Sequence, residues 1–136
     1  MKFAQICDLV DSAAAREIDH AGLVGTWLNS NPDTTGIARM SVQEVDGKLT
    51  LQTLATGPDA LIDWGTAELQ VYGSSPTSTT AAGFECRYDF GFAETLLQGM
   101  LLKGLMVLAQ IHTFKDDSNR NPFFVREYFA LEHGRF

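Results

Sequence analysis

The sequence predicts an all-β fold, an eight-stranded up-and-down antiparallel β-barrel with an N-terminal α-helix. The hydrophobic period changes from steps of three and four before residue 20 to alternation after residue 22. Eight alternating runs then follow one another with mostly short turns, which is typical of an antiparallel meander. Closing such a sheet into a barrel removes its two exposed edges. We expect one domain in the 136 residues, with the helix at 2–20 and the barrel at 23–132.

The predicted helix over residues 2–20 is amphipathic. Charged residues lie largely off its apolar stripe, and Gly22 is a plausible stop signal. The stripe consists of Phe3, Ile6, Val10, Ala13, Ala14 and Ile18.

The eight predicted strands occupy the rest of the chain. Asp46-Gly47 is the strongest hairpin signal, because a two-residue type I′ turn needs positive φ at both positions. Pro32 lies in a polar turn, and residues 57–65 form an irregular connection, with or without a short strand. A two-sheet sandwich is the main alternative to the barrel, whereas the chain length and the lack of a blade repeat exclude a propeller. The predicted strands are 23–30, 37–45, 49–56, 66–73, 84–92, 93–101, 105–114 and 123–132.

Charge and composition exclude several classes of partner. The net charge of −7 repels phosphate backbones, so we expect no nucleic acid. No apolar run reaches the roughly 20 residues of a membrane helix, since Gly99, Lys103 and Gly104 interrupt the longest one. The N-terminal residues lack the apolar stretch of a secretion signal. We therefore expect Cys7 and Cys86 to be free thiols and the protein to be cytoplasmic.

The tripeptide GTW at Gly25–Trp27 opens the first predicted strand. It resembles the G-x-W signature of lipocalins and their calycin relatives. In that superfamily the tryptophan closes one end of the barrel, often beneath an arginine from late in the chain. The resemblance implies that Trp27 plugs the barrel, that Gly25 leaves room for it, and that Arg126 or Arg135 covers its ring.

A longer stretch, GTWLNSNPDTTGIAR at 25–39 together with DWG at Asp63–Gly65, carries a second resemblance. It looks like the pattern of a group of uncharacterised bacterial proteins. The similarity covers residues 23–132 and implies no function.

Strand parity identifies Glu127 as the first candidate catalytic residue. One face of the last strand carries Phe123, Val125, Glu127, Phe129 and Leu131, which are four apolar side chains around one carboxylate. An apolar interior disfavours the charged form of that group, and such a carboxyl can act as a general acid or base. The alternative is that Glu127 lies near a strand end and pairs with an arginine such as Arg39 or Arg87.

Tyr88 and His112 are the other candidate catalytic residues. Tyr88 shares one face of the fifth strand with Phe84, Cys86 and Phe90, where its hydroxyl can orient a ligand or bond to backbone. His112 lies on an apolar face of the seventh strand, as a proton-transfer group or as a satisfied structural histidine.

Eight residues are candidate ligand contacts on the predicted inner surface. We expect neither a metal site nor a cofactor, because the histidines are isolated and no phosphate-binding loop is present. Trp64 either caps the barrel mouth or fills a corner. The candidates are Trp27, Met40, Leu51, Trp64, Leu69, Phe84, Phe90 and Phe129.

The sixth and seventh predicted strands are apolar on both faces, so something must cover the outer one. The helix at 2–20 or a second copy in a homodimer can do so.

Three functions fit these predictions. The first is binding of a small hydrophobic molecule inside the barrel. The second is a cofactor-free cyclase or isomerase that acts on a polyketide- or terpenoid-like substrate in the same cavity. The third is a structural or interaction module with a filled barrel.

Overall fold

A computed structural model describes residues 18–133, which form one antiparallel sheet that curls into a nearly closed β-barrel. The described chain begins with a short 3₁₀ helix, Ala21–Leu23, and continues through nine strands. The strands are β1 (Gly25–Asn29), β2 (Ile37–Val45), β3 (Lys48–Ala55), β4 (Ile62–Glu68), β5 (Gln70–Gly73), β6 (Ala81–Asp89), β7 (Ala93–Leu102), β8 (Leu105–Phe114) and β9 (Phe123–Leu131).

The strand order is β4-β3-β2-β1-β9-β8-β7-β6-β5, so chain neighbours are sheet neighbours except where β1 meets β9. Trp27 lies opposite Leu131 at that junction, which joins the two ends of the described chain. The predicted all-β antiparallel barrel is confirmed.

The prediction of eight strands is wrong, because the predicted fourth strand is two strands. β4 starts at Ile62, inside the segment predicted to be irregular, and pairs with β3. The strand is interrupted at Leu69, whose N–H donates to the Leu49 carbonyl at 2.9 Å. After this residue the chain changes partner, and β5 pairs with β6 rather than with β3. One chain segment therefore passes from one edge of the sheet to the other. We call the gap that it leaves, between β4 and the end of β6 at 86–89, the seam.

Most of the predicted helix, residues 2–17, lies outside the described residues. Its last residues are not helical: Asp19 forms a parallel bridge with Thr80. The Asp19 N–H donates to the Thr79 carbonyl at 2.7 Å, and the Asp19 carbonyl accepts from Ala81 N–H at 2.9 Å. This pairing to the start of β6 competes with a helical turn. Within 18–133 no helix has the length and apolar character needed to cross a membrane.

The lower end of the barrel, which carries the turns after β2 and β7, is closed and packed. Trp27 is 2% exposed and donates its indole N–H to the Leu23 carbonyl at 3.0 Å. The 3₁₀ helix thus lies against the tryptophan, and a continuous hydrophobic cluster fills the interior above it. Its largest members include Met40, Leu51, Phe84, Leu97, Met106, Leu108 and Phe129.

Two details expected around Trp27 are wrong. Arg126 lies on the outer face of β9 between the exposed Phe124 and Tyr128, so it does not cover the indole; Arg135 lies outside the described residues. Gly25, at φ 140°, leaves room for Leu131 rather than for the tryptophan. A Cβ at Gly25 would lie 2.6 Å from Leu131 Cδ1.

The outer face of β7, β8 and β9 is apolar and partly exposed. Cross-strand neighbours form continuous rows, such as Met100, Val107 and Tyr128. Phe124 is 62% exposed and Met100 is 51% exposed. The helix expected to cover this face lies outside the described residues, and the homodimer stays a prediction.

We predict that Gly99→Ala destabilises the protein by about 1–3 kcal/mol, because the lower interior has no room for a methyl group. A Cβ at Gly99 would overlap the Phe84 ring and lie 2.9 Å from the Met106 sulfur. Gly22→Ala is the matched control, since its Cβ meets only Leu101 at 3.7 Å. Denaturant unfolding of both variants checks this. Equal midpoints would show that the interior is loosely packed.

Candidate functional site

The upper end of the barrel, which carries the loops after β1, β3, β6 and β8, opens into two adjoining cavities. Their volumes are about 580 Å³ and about 420 Å³. Both are lined by Ile62, Trp64, His112 and Phe123, so we treat them as one site, the cup. The larger cavity extends beneath the β1–β2 loop toward Glu127, and the smaller one extends toward Phe90, Phe92 and Phe114.

Glu127 on β9 lies at the floor of the cup and accepts three hydrogen bonds. Its Oε2 accepts from Asn29 Nδ2 at 2.8 Å and from Thr34 Oγ1 at 2.9 Å. Its Oε1 accepts from Gln110 Nε2 at 2.9 Å. These donors are all neutral, and they come from β1, the β1–β2 loop and β8. Three neutral donors therefore contact Glu127 in addition to the apolar side chains that share its strand face, and strand parity did not predict these donors.

The alternative prediction, that an arginine pairs with Glu127, is wrong within 18–133. Arg87 faces outward, where its Nη1 lies 3.4 Å from Glu94 Oε1. Arg39 lies opposite Leu28, which is 37% exposed on the outer surface. The ion pairs of the described residues include neither Arg39 nor Glu127.

A run of hydrogen bonds extends across the floor from Glu127 through Gln110 to His112. Gln110 turns its amide N–H toward Glu127, so its Oε1 is the acceptor 3.3 Å from His112 Nε2. The proton of the neutral imidazole therefore lies on Nε2. Nδ1 then accepts from Thr95 Oγ1, 2.8 Å away. We call this run of Thr95, His112, Gln110 and Glu127 the polar chain.

Two members of the polar chain are shielded from water. Thr95 is 2% exposed and Gln110 is 1% exposed, and each buried polar side chain among the described residues has a partner. Burial lowers the pKa of His112 below its ordinary value of 6.5. The imidazole is therefore neutral at pH 7.

Aromatic rings form the walls of the cup. The Phe123 ring stacks on His112 with centroids 4.4 Å apart, and Phe114 lies 6.1 Å from Phe123. On the opposite side Trp64 meets Phe90 edge-on at 5.1 Å. The β8–β9 loop adds Arg120, whose guanidinium carbon lies 4.1 Å from the Phe114 centroid.

Tyr88 lies outside the cup and spans the seam. Its hydroxyl lies 3.1 Å from the Leu51 carbonyl, 3.1 Å from Thr53 Oγ1 and 2.9 Å from the Gly65 carbonyl. Burial raises its pKa to about 12, so the phenol stays protonated. This is the second alternative considered for Tyr88, a core tyrosine bonded to backbone. Its role is to join β6 to β3 and β4.

The eight candidate ligand contacts divide by depth. Trp64 and Phe90 line the cup. The other six lie in the packed core and do not line it, because alternation predicts which face a residue occupies but not its height along the barrel. These six are Trp27, Met40, Leu51, Leu69, Phe84 and Phe129.

Several residues of the cup were not predicted, although the sequence carried a signal for some. Asn29 and Thr34 belong to the quoted GTWLNSNPDTTGIAR stretch, and both donate to Glu127. Gln110 shares the inward face of β8 with His112, two residues away. No cluster of three metal-ligating side chains occurs within the described part of the chain.

We predict that the stability of the protein falls as pH drops from about 6.5 through the lowered pKa of His112. The unfolded state takes up a proton at this position more readily than the folded state, so acid favours unfolding. Unfolding midpoints measured between pH 5 and pH 7.5 should fall more steeply for the native protein than for His112→Gln. Parallel pH profiles would contradict the assignment of His112 as a buried neutral group.

We also predict that Tyr88→Phe destabilises the protein by about 1–3 kcal/mol, because the variant loses the hydroxyl that donates its one proton to a carbonyl at the seam. Hydrogen exchange should quicken in β4, where the seam opens. Tyr128→Phe is the control, since that ring is 42% exposed on the outer face. Unchanged exchange in β4 would show that the hydroxyl does not hold the seam.

Comparison with known proteins returns no match: no family model, no curated protein and no solved structure corresponds to this chain. The resemblance to calycins at Gly25–Trp27 therefore stays a prediction. What the protein does has to be argued from the cup itself.

Proposed function

We propose that the protein binds one small, largely apolar molecule in the cup. The observation that carries the proposal is an open cavity of about 580 Å³ with aromatic walls and a hydrogen-bonded polar floor. Apolar walls with a few placed polar groups are the usual composition of small-molecule sites. Trp64 and Phe123 would contact the apolar body of the ligand, and the polar chain would orient its polar group.

The packed lower interior restricts the proposal to the upper end. Side chains such as Phe84 and Phe129 occupy the space that a ligand at the barrel centre would need. The ligand would therefore enter by the upper loops and stay in contact with solvent on one side. The lower half alone fits the third candidate, a filled structural barrel, but that candidate leaves the aromatic cup unexplained.

We predict that a neutral apolar fluorescent probe, 1-naphthol, binds with one-to-one stoichiometry and quenches Trp64. Phe123→Ala should weaken binding about tenfold, because it removes one wall of the cup. Phe124→Ala is the matched control, since the next side chain lies on the outer face and is 62% exposed. Titration by fluorescence and calorimetry checks both variants. Equal loss in both, or loss in Phe124→Ala alone, would place the probe outside the cup.

A second candidate is a cofactor-free cyclase or isomerase that acts on a polyketide- or terpenoid-like substrate. The observation that favours it is that His112 and Glu127 line one cavity and are joined through Gln110. A neutral imidazole and a carboxylate in such a chain can exchange a proton with a substrate.

The enzyme candidate is tested by identifying the guest that the protein carries when purified from its host, using native mass spectrometry. The guest or its precursor is then incubated with the native protein and with Glu127→Gln and His112→Gln. Conversion by the native protein that both variants lose would support catalysis. Equal conversion in all three proteins would eliminate it.

A further inference from the structure

We propose that the cup selects ligands that carry a protonated basic nitrogen on an aromatic or other apolar body, with Glu127 as the counter-ion. The inference rests on the proposed function and adds the charge of the ligand. It follows from three observations: the donors to Glu127, the distribution of charge around the cup, and the aromatic walls.

The charge of Glu127 is not compensated by a protein cation in the described residues. Its donors, Asn29, Thr34 and Gln110, are neutral, so the hydrogen bonds satisfy the carboxylate without cancelling its charge. His112, the next group along the floor, is neutral as well. A ligand cation would therefore meet a carboxyl group that forms no ion pair within 18–133.

One oxygen of Glu127 remains open to a ligand. Each carboxylate oxygen has two acceptor positions. Both positions of Oε2 are filled, whereas within residues 18–133 Oε1 accepts only from Gln110. Oε1 faces Gly36, which lines the cavity, and a Cβ at Gly36 would lie 3.4 Å from it. A ligand N–H can therefore approach Oε1 beside a residue that has no side chain.

Basic side chains are kept away from the floor of the cup. Of the cations in 18–133, those on strands lie on the outer face, and the others lie in turns and loops. Arg126 reaches the rim of the larger cavity from outside. Asp63, on the rim of the smaller cavity, carries the opposite charge. Asp63 also accepts only from neutral donors, Gln52 and the Gly65 N–H. An anionic ligand would find no cation on the floor.

The walls suit a cation as well as an apolar body. Ring faces attract cations, and Phe114 and Phe92 already hold the Arg120 guanidinium, 4.1 Å and 5.6 Å from their centroids. Trp64 and Phe123 stand where both cavities meet. A ligand ammonium that reaches Glu127 would pass these rings, so attraction by the walls and by the carboxylate act together.

The test compares three probes of one shape: 2-naphthylmethylamine, 2-naphthylmethanol and 2-naphthoate. Calorimetric titration at pH 7 should give an affinity for the amine at least tenfold above that for the alcohol, and the weakest affinity for the carboxylate. Raising the salt concentration should reduce the difference in affinity between the amine and the alcohol. These comparisons use the native protein only, so they hold even if a variant fails to fold.

Glu127→Gln should bring the ratio of the amine affinity to the alcohol affinity from tenfold or more down to about one, because it removes the charge that distinguishes the two probes. Glu94→Gln is the matched control, because Glu94 lies at the same end of the barrel but faces outward beside Arg87. It should keep the preference for the amine.

The outcomes separate this inference from the proposed function. Binding of the alcohol as tight as that of the amine, or tightest binding of the carboxylate, would overturn the charge selection and leave the binding function standing. The second result would make an arginine of the cup, Arg120 at the wall or Arg126 at the rim, the counter-ion. Failure of all three probes to bind would overturn the proposed function itself.

Discussion

Closure of the barrel depends on one chain segment, residues 62–73, which pairs with β3 through its first half and with β6 through its second. A strand can bond fully to two neighbours only while they stay one strand-width away on each side, and here they diverge toward the upper end. The lower end is therefore closed by backbone hydrogen bonds and the upper end is not. Tyr88 fills the resulting seam, where its hydroxyl reaches the Gly65 and Leu51 carbonyls. The Trp64 ring packs edge-on against the Tyr88 ring, with centroids 5.5 Å apart.

This asymmetry divides the barrel into a packed half and an open half. Where the strands close, large side chains such as Trp27, Phe84 and Phe129 meet across the interior and leave no usable space. At the upper end, the inward positions of β4 and β8 carry Trp64 and His112, which line the cup. The cup is thus a consequence of the strand geometry, and its aromatic walls replace part of the burial that a closed barrel end would have supplied.

Sequence periodicity predicted the fold class and which side chains share a strand face, because alternation is a local property of each strand, but it did not predict which face points inward. It predicted that Glu127 shares a face with Phe123 and Phe129, and these side chains do point inward. It could not predict that Glu127 meets Asn29 and Thr34, since contacts across 93 and 98 residues depend on which strands become neighbours. The break at Leu69 was hidden for the same reason: residues 66–73 alternate without interruption, and only the competing partners β3 and β6 divide them.

The two oxygens of Glu127 explain how one carboxylate can serve both structure and binding. Oε2 is saturated by Asn29 and Thr34, so it holds the β1–β2 loop over the barrel and has no acceptor position left for a ligand. Oε1 accepts only from Gln110, and its other side faces the cavity at Gly36. A purely structural role would need only the first oxygen. Since charge is shared over both oxygens, a cation at Oε1 would also relieve the desolvation cost that the loop contacts impose on the carboxylate. The same carboxylate therefore fixes the β1–β2 loop through Oε2 and offers Oε1 as an acceptor for a ligand.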